Sequence, residues 1–465
     1  MALNLLRNSR VFFTTNVNSQ GKVATTGFDA TNTYELQVLD GFTFSQNTNA
    51  DTVTISEAGV APVRGQRSFN TSLAPVDFSM STYLRPKNAT TAITAEESVL
   101  WNALLGTTAL STTAVTVGGT ISGVTYSFTN GVGTVTISGT SLTYGSLEAG
   151  NIVTIGGTNQ LDINTPAVFK TGSATAITLE LVNPVTGTVT VGTPATLKFY
   201  KSPWAPVAAT YSVATTAYSN TNQLQTFGMV FVVDNVVYVV DNCAMAQATI
   251  DFGLDAIATA AWTGQGTALT ESADITLSAL DTAAADRVTN APFITNKLST
   301  VSMKTLNALG TATATTYGIA LTGGSVTINN NITYITPANL GVVNVPAVYY
   351  TGTRSITGTM NAYLKTGTGV GSTGQLLKDM LAASSTTIEP MAALSIAIGG
   401  SGNPTKVVLD MPAVTFTIPT VDVQQVVSTA INFTSAGYNP SATANGNTFD
   451  LTKTNDLLVR YYSAT

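Results

Sequence analysis

The chain has 465 residues, which is enough for two to four domains that each bury a core of their own. Only 9% of the residues are charged, against roughly 25% in ordinary soluble proteins, so Thr, Ser, Asn, Gln and Gly must cover the surface. The sparse charge favours packing against further copies of the chain, and a net charge of −6 disfavours binding of nucleic acid through its phosphates. The composition is compatible with a surface that nucleic acid passes without sticking.

Histidine is absent, and Cys243 is the only cysteine. The lack of histidine removes the commonest general base and most transition-metal sites, and one cysteine cannot form a disulfide within the chain. We therefore predict no catalytic, metal or cofactor site, and we interpret Cys243 as a small buried apolar residue. Residues 1–10 lack the charged and apolar regions of a secretory signal, so we expect synthesis in a reducing cytoplasm.

The first 106 residues predict a β-rich unit that ends in a helix. Four runs alternate apolar and polar side chains as half-buried strands do: residues 10–15, 34–46, 52–56 and 78–84. The last run stops before Pro86, as a strand should. Residues 94–106 then favour a helix, with Thr94 as its N-cap, Glu97 three residues later and Gly106 just past its end.

From about residue 107 to residue 206 the pattern changes to short strands separated by Gly, Asn and Pro, without helical periodicity. We predict an inserted all-β module, Ig-like or a small barrel. Strands of the first unit resume over residues 225–240 and 247–252. Asp234 and Asn235 interrupt the most apolar run, so they predict a tight turn between two buried strands and not a membrane span.

The second half of the chain repeats the first. Residues 316–336 resemble residues 33–47, beginning with the shared dipeptide Thr-Tyr. We interpret both segments as a β-hairpin with a glycine-marked turn, at Gly41 in the first copy. After one inserted residue, Phe44 is aligned with Ile328.

The same order of elements then recurs: a strand, a hairpin, a turn-rich segment that we call the excursion, a strand, a helix and further strands. Residues 375–383 are the second helix, and Tyr363 is aligned with Tyr83. This order defines the predicted domains. Residues 1–106 and 207–280 form a discontinuous first domain, residues 107–206 the inserted module, residues 281–294 a linker and residues 295–465 the second domain.

Two kinds of pattern imitate functional motifs. Residues 369–374 read G-V-G-S-T-G, and Glu389 follows Gly369 by 20 residues, as in a dinucleotide-binding fingerprint. The matching loop of the first unit has no glycine, so we interpret the segment as a flexible loop. Acids are paired at Glu96 and Glu97, Asp251 and Asp255, and Asp281 and Asp286. A helix N-terminus, a turn and the linker account for these pairs without catalysis or calcium binding.

Five motifs occur in the order LNLLRNSRVFFTT, PVRGQRSFN, DFSMSTYLRP, LWNALLG and TINNNITYITP. Together they resemble the tail tube protein of long, non-contractile-tailed bacteriophages, in particular the subset with two fused tube domains per subunit. The resemblance covers nearly the whole chain apart from the inserted module. Relatives carry an extra Ig-like domain at the C-terminus, whereas here the extra β module follows the first helix.

The resemblance implies a mainly β fold with two tandem tube domains, each a β-sandwich or barrel with a flanking α-helix. It implies that three copies form a pseudo-hexameric ring and that rings stack into a hollow tube in the virion tail. DNA would pass through without specific binding, and the tape measure, tail terminator and tail tip proteins would be partners. No enzymatic activity, cofactor or membrane is implied, and we expect the inserted module on the outside of the tube.

The resemblance also implies that two excursions, residues 51–70 and 332–354, reach the neighbouring ring. The candidates for polar inter-ring contacts are Glu57, Arg64, Arg67, Tyr349 and Arg354. We expect a polar and net acidic channel wall, since such a wall repels phosphates. The alternatives are a baseplate or tail-tip protein, a contractile-tail tube protein that shares the fold, and a β-rich surface adhesin, against which the missing export signal weighs.

Overall fold

The structure is a computed structural model in which most of the chain is described. The described residues are 9–39, 41–56, 60, 64–88, 93–105, 115–129, 132–145, 147, 152–156, 166–181, 190–191, 198–201, 224–254, 256–285, 293–305, 316–366, 372–386, 391–399, 405–418, 420–422, 427–436, 438–439, 448–449 and 456–462. Within them the protein is mainly β, which confirms the predicted fold class.

Strands and helices alternate unevenly along the first half of the chain. Before the insertion lie β1 (Arg10–Thr14), β2 (Thr33–Leu36), β3 (Thr43–Ser56), β4 (Arg64–Tyr83), β5 (Pro86–Asn88), β6 (Ile93–Ala95) and helix α1 (Ser98–Leu105). The next group is β7 (Val115–Thr116), β8 (Gly118–Thr129), β9 (Val132–Thr143), β10 (Ile152–Gly156), β11 (Pro166–Gly172), β12 (Ala176–Leu181), β13 (Thr190–Val191) and β14 (Lys198–Lys201). Then follow β15 (Phe227–Val233), β16 (Val236–Asp251), β17 (Thr259–Gly266), β18 (Ala268–Glu271), helix α2 (Leu277–Leu280) and β19 (Ala284–Ala285).

The second half begins with a 3-10 helix, Asn296–Leu298. Its strands up to the long helix are β20 (Thr300–Thr305), β21 (Thr316–Ile319), β22 (Leu321–Asn329), β23 (Ile332–Ile335), β24 (Val348–Thr351) and β25 (Ser355–Tyr363). Helix α3 (Thr373–Thr386) is followed by β26 (Met391–Ile398), β27 (Lys406–Phe416), β28 (Thr420–Asp422), β29 (Ser428–Ser435), β30 (Tyr438–Asn439), β31 (Thr448–Phe449) and β32 (Leu458–Tyr462).

One strand-pairing scheme occurs twice. Strand β1 lies between β2 and β15, as β20 lies between β21 and β26. Strand β4 lies between β3 and β17, as β25 lies between β22 and β29. Strand β16 pairs with β15, β17 and β18, as β27 pairs with β26, β29 and β32. We call the first set with α1 the first repeat, the second set with α3 the second repeat, and residues at matching places counterparts.

Strands β7 to β14 pair only with one another among the described strands, in the order β13-β8-β9-β12-β11-β10-β14-β7. They bury a core of their own around Val135, Ile137, Ile177 and Leu179, all fully buried. Alternating strands with short turns produce such a layer because one face of each strand is apolar. The division of the chain into domains at the predicted boundaries stays a proposal.

The register of the strands also repeats. Tyr83 lies opposite Thr259 in the first repeat, and Tyr363 lies opposite Ser428 in the second. The pairs β15–β16 and β26–β27 each contain one register shift at the matching place. Tyr363 is therefore the counterpart of Tyr83, in agreement with the sequence alignment.

The alignment of the strand after Gly41 was wrong by two residues. Phe44 lies opposite Phe78, and Val326 lies opposite Gly358. Because Phe78 and Gly358 occupy matching places, the counterpart of Phe44 is Val326 and not Ile328. A shift of two residues keeps the same side chains on the buried face, so the alternating pattern could not reveal it.

The predicted β-hairpins are also wrong. Strand β2 pairs with β1 and β19 whereas β3 pairs with β4, and β21 pairs with β20 whereas β22 pairs with β25 and β16. The chain therefore changes strand neighbours at Gly41 instead of folding back on itself. Alternation around a glycine fits both arrangements, since each only requires one buried face and a change of direction. The predicted turn at Asp234 is confirmed, because Val233 lies opposite Val236.

Thr94 does not cap the first helix. It lies in β6, opposite Lys87, and α1 begins at Ser98. Two backbone N–H groups, those of Leu100 and Trp101, donate to the carbonyl of Glu97, which takes the place just before the helix. The expected C′ residue, Gly106, lies outside the described residues.

The two repeats solve one packing problem in opposite ways. In the first repeat Phe78 lies opposite Gly264, and in the second Gly358 lies opposite Phe433. A Cβ on either glycine would overlap the phenyl ring across from it. Each repeat thus has space for one phenyl ring at this place. The first repeat supplies the ring from β4, and the second supplies it from β29.

We expect Phe433→Gly to lower the free energy of unfolding by about 3–5 kcal/mol or more, because it leaves a ring-sized cavity. Gly358→Phe alone should also destabilise, since two rings then compete for one space. The double variant Gly358→Phe/Phe433→Gly should be more stable than either single variant, as the first repeat already uses that arrangement. Urea midpoints of the four proteins measure this, and two additive losses would contradict it.

Candidate functional site

A single antiparallel sheet runs through both repeats. Its order is β3-β4-β17-β16 from the first repeat, followed by β22-β25-β29-β28 from the second. The two parts meet where β16 pairs with β22, with Ile250 opposite Val326 and Asp251 opposite Ser325. We call this eight-strand array the shared sheet.

One face of the shared sheet is buried under the rest of the repeats. Ile250, Trp262, Val326 and Ile328 on this face are all fully buried, and Trp262 meets Trp101 of α1 edge-on at 4.9 Å between ring centroids. Because side chains alternate along a strand, the intervening residues point to the opposite face. That face carries mostly Thr, Ser, Asn and Gln.

Polar side chains on the open face bond to one another across the strands. The hydroxyls of Thr249 and Thr327 lie 3.2 Å apart across the junction between the repeats. Further bonds run from Thr359 Oγ1 to Asn432 Oδ1 at 2.8 Å and between the Thr43 and Ser79 hydroxyls at 2.8 Å. Each of these bonds occupies one donor and one acceptor, so part of the hydrogen-bonding capacity of the face is used within the sheet.

Outside the far end of the β3–β4 ribbon, which carries Arg64 and Arg67, the paired segments of the shared sheet contain aspartates but no lysine or arginine. Asp77, Asp251 and Asp422 lie on the open face and are exposed, and Asp77 Oδ1 accepts a hydrogen bond from Gln265 Nε2 at 2.9 Å. Asp251 and Asp422 are counterparts, since Asp251 lies opposite Thr259 and Asp422 lies opposite Ser428. Apart from that end of the ribbon, the charged side chains of the paired strands on this face are therefore all carboxylates.

Sequence reasoning overlooked β28, although a signal was available. The tripeptide Thr-Ile-Asp that ends β16 recurs as Thr-Val-Asp in Thr420–Asp422. No strand was predicted over residues 420–422, so the match was missed. In the structure β28 pairs with β29 as the end of β16 pairs with β17.

Both ends of the shared sheet are open among the described residues. Strand β3 pairs only with β4 there, and β28 pairs only with β29. Ile250 is 0% exposed at the internal junction, whereas its counterpart Val421 is 37% exposed at the open edge. Likewise Val326 is fully buried and its counterpart Phe44 is only half-buried. The open edges thus expose the surfaces that the internal junction covers.

The residues predicted for inter-ring contacts lie in different surroundings. Glu57 is outside the described residues, Arg64 lies opposite Ser56 at the end of the β3–β4 ribbon, and Arg67 is exposed on that ribbon. Tyr349 Oη donates to the Leu224 carbonyl at 2.9 Å, and Arg354 Nε and Nη2 donate to the two carboxylate oxygens of Asp456 at 3.1 and 2.9 Å. These partners of Tyr349 and Arg354 lie within the chain. The inter-ring role of all five stays a prediction.

The second excursion lies against the first repeat. Tyr334 Oη donates to the Asn242 carbonyl at 2.7 Å, and the backbone of Asn344 bonds to Thr71 and Leu73 at the base of the β3–β4 ribbon. The first excursion instead extends as the paired ends of β3 and β4, with exposed side chains. The second excursion therefore packs against the first repeat of its own chain, whereas the first excursion projects from the chain.

Glu96 and Glu97 are a structural pair. Glu96 Oε2 binds Arg85 at 2.5 Å, and Glu97 Oε1 accepts hydrogen bonds from Trp101 Nε1 at 3.3 Å and from the Tyr461 hydroxyl. Tyr461 belongs to β32, so this buried contact joins the helix of the first repeat to the last strand of the second. Burial raises the pKa of Glu97 to about 7, against the hydrogen bonds from Tyr461 and Trp101 that lower it.

The other candidate chemical groups form no site among the described residues. Cys243 is fully buried, which confirms its interpretation as a core residue, and burial raises its pKa well above the ordinary thiol value. Asp255 and Asp286 lie outside the described residues, as do residues 367–371 of the glycine-rich segment. No group of three metal-ligating side chains is present in the described ranges, and no helix there has the length and apolarity to cross a membrane.

Comparison with known proteins finds one that is a component of a phage tail. No protein-family model matches the chain. The chain is 25% identical over 442 residues to the tail tube protein pb6 of Escherichia phage T5, a match that covers 93% of this chain and 72% of that protein. This finding confirms the resemblance to phage tail tube proteins that the motifs indicated.

Glu97 should make stability depend on pH. Its pKa in the folded state, about 7, exceeds the ordinary 4.5, so the folded protein holds this proton more tightly than the unfolded chain does. The resulting stabilisation is complete below pH 4.5, falls by about 3 kcal/mol as the pH rises to about 7, and is then absent. Glu97→Gln should therefore raise the urea midpoint at pH 8 and leave it nearly unchanged at pH 4.

The exposed Glu271 supplies the matched control, because Glu271→Gln changes the same charge without touching the buried contact. Equal shifts for the two variants at pH 8 would show that net charge, and not the Glu97–Tyr461 contact, sets the pH dependence.

Proposed function

We propose that this protein is the major tail tube protein of a bacteriophage virion, where copies of it form rings that stack into a hollow tube. The similarity to pb6 along nearly the whole chain supports a structural role in a phage tail. The tube would conduct DNA from capsid to host. The chain would be made in the host cytoplasm and would meet the tape measure, terminator and tip proteins in the tail.

The observation that carries the ring is the internal junction between β16 and β22. This junction places the first edge strand of one repeat against the last edge strand of the preceding one. A β-sheet edge with unpaired N–H and C=O groups is stabilised when another strand pairs with it. Repeating the same junction between copies pairs β28 of one copy with β3 of the next and continues the shared sheet.

The register of the junction between copies follows from the counterparts. Ile250 pairs with Val326 and Asp251 pairs with Ser325 within the chain. Their counterparts place Val421 opposite Phe44 of the next copy, and Asp422 opposite its Thr43. The half-buried Phe44 and the exposed Val421 then cover each other, as their counterparts do.

Three copies supply six repeats, so a threefold ring imitates a sixfold one. Each repeat would be a tube domain, with boundaries at residues 1–106 with 207–280 and at residues 295–465. The bulk of each repeat lies on the buried face of the shared sheet, which leaves the polar face for the bore. A closed sheet also has no edges left to aggregate. The inserted module, residues 107–206, would lie outside.

A baseplate or tail-tip protein, or the tube of a contractile tail, would share the fold. The repeated open edges favour a tube over a monomeric adhesin, since an adhesin has no need of complementary edges. Stacked rings follow when a second head-to-tail contact does not close on itself.

The first test is assembly. Purified protein should form three-lobed rings or tubes in negative-stain electron microscopy and trimers or multiples of three in native mass spectrometry. Val421→Asp should prevent ring closure without unfolding the chain, because it buries a charge against Phe44 of the neighbour. Leu381→Asp, at a 47% exposed leucine of α3 away from the open edges, is the matched control and should still assemble. Wild-type monomers, or closed rings of Val421→Asp, would contradict the proposal.

The second test concerns the bore. Asp251 and Asp422 are counterparts, so two in each copy place six carboxylates around a ring of three. Tubes of Asp251→Lys/Asp422→Lys should bind double-stranded DNA with an affinity that falls steeply with salt, because lysines then face the phosphates. Wild-type tubes and tubes with Asp274→Lys, at an exposed acid outside the shared sheet, should not. Equal binding by both lysine variants would place Asp251 and Asp422 outside the bore.

A further inference from the structure

The segment that precedes the second repeat fills a site on the first repeat. The Ala258 N–H donates to the Ile294 carbonyl at 2.8 Å, and the Asn296 N–H donates to the Ala256 carbonyl at 2.9 Å. Ile294 is fully buried in the main core, and Ala258 is fully buried beneath it. This segment leads directly into β20, so the start of one repeat is fastened to the repeat before it.

Aromatic and cationic side chains complete the fastening. The Phe293 ring meets the Tyr83 ring edge-on, with 5.2 Å between centroids and 86° between planes. The Arg85 guanidinium lies 5.0 Å from the centre of the Phe293 ring. Phe293 is therefore held between a tyrosine and a cation of the first repeat, in a contact that cation–π attraction stabilises.

The second repeat has the same site. The Leu84 N–H donates to the Ala258 carbonyl at 3.0 Å, and the Leu364 N–H donates to the Val427 carbonyl at 2.9 Å. Val427 is therefore the counterpart of Ala258. Tyr363 and Lys365 likewise take the places of Tyr83 and Arg85, so the tyrosine and the cation are both present.

The site on the second repeat is uncovered. Tyr363 is 58% exposed, whereas Tyr83 is half-buried under Phe293. Leu364 and Val427 are partly exposed, whereas their counterparts in the first repeat are fully buried. The Val427 N–H donates to no described residue, although the corresponding N–H of the first repeat donates to the segment before β20.

The occupant follows from what precedes each repeat. Val11 and Val301 hold matching places in β1 and β20, since they lie opposite Leu36 and Ile319 in the paired strands. Counting back from them, residues 2–8 correspond to residues 292–298. Residues 2–8 themselves lie outside the described part of the chain.

The two segments correspond in place and share two side-chain types. Two positions keep their character: Arg7 aligns with Lys297, and Leu3 aligns with Phe293. Asn4 stands where the first repeat buries Ile294, and the apolar side chains of this segment are instead Leu5 and Leu6. In the proposed ring, the second repeat of one copy precedes the first repeat of the next. The site that residues 2–8 can reach in that ring therefore belongs to a neighbouring copy.

We propose that residues 2–8 of one copy bind the uncovered site at Tyr363, Lys365 and Val427 on the second repeat of the neighbouring copy. Leu3 inserts between Tyr363 and Lys365 as Phe293 inserts between Tyr83 and Arg85. This inference rests on the proposed ring, in which the second repeat of one copy precedes the first repeat of the next. Residues 2–8 bound in this way, which we call the strap, would join consecutive copies in addition to the pairing of their sheet edges.

Cysteine cross-linking tests the strap in assembled protein. Leu3→Cys/Tyr363→Cys, treated with a short bis-maleimide, should give covalent dimers and trimers on a denaturing gel, with trimer as the largest product because the ring closes. Tyr83→Cys/Phe293→Cys should cross-link within the chain at unchanged mass and shows that the geometry is reactive. Leu3→Cys/Tyr350→Cys uses another half-exposed tyrosine and should give no oligomers. The native Cys243 is fully buried.

Each result decides the question. Rings in electron microscopy without oligomers from Leu3→Cys/Tyr363→Cys, while Tyr83→Cys/Phe293→Cys reacts, would overturn the strap and leave the proposed function intact. A cross-link at monomer mass would place residues 2–8 on their own chain and overturn it too. Ladders far beyond trimer would show fastening between rings instead of within one. Failure of the wild-type protein to form rings would remove both proposals.

Discussion

The pairing of open β-sheet edges is the constraint on which the rest of this structure depends. Within the chain β16 pairs with β22, which buries Ile250 and Val326 completely. Monomeric proteins usually protect an edge with lysine, a bulge or a covering element. The paired residues of β3 and β28 contain no lysine, and Val421 remains exposed there. The duplication thus creates one satisfied junction and two complementary edges in the same molecule.

Duplication leaves the side chains free to diverge while the backbone pairing stays fixed. Phe78 and Gly264 exchange places with Gly358 and Phe433, yet the strand register is the same in both repeats. The core needs one ring at that level and does not depend on which strand supplies it. The excursions diverge further, because one clasps the chain and the other projects. A threefold assembly can therefore use two different surfaces around a nearly sixfold ring.

Much of the fold was predictable because alternation and the order of elements survive divergence. The mainly β class, the turn at Asp234 and the equivalence of Tyr83 and Tyr363 all followed from the sequence. The hairpins at Gly41 and its copy did not, since alternation shows which face is buried but not which strand is the neighbour. That the counterpart of Phe44 is Val326 and not Ile328 could not be predicted either, because both residues point to the same face of the strand. The open edge at Thr420–Asp422 was missed because three residues are too short for a periodic signal.

The composition acquires a physical meaning once the polar face is known. Thr249 and Thr327, or Thr359 and Asn432, bond to each other across strands, so these neutral side chains are held in place within the sheet. A lysine on such a face would add affinity for every passing phosphate, and a large apolar side chain would favour contact with unstacked bases. Hydrogen-bonded Thr, Ser and Asn avoid both, and the aspartates add repulsion. In the proposed tube, the low content of charged residues would therefore be the property that lets DNA pass this wall without binding.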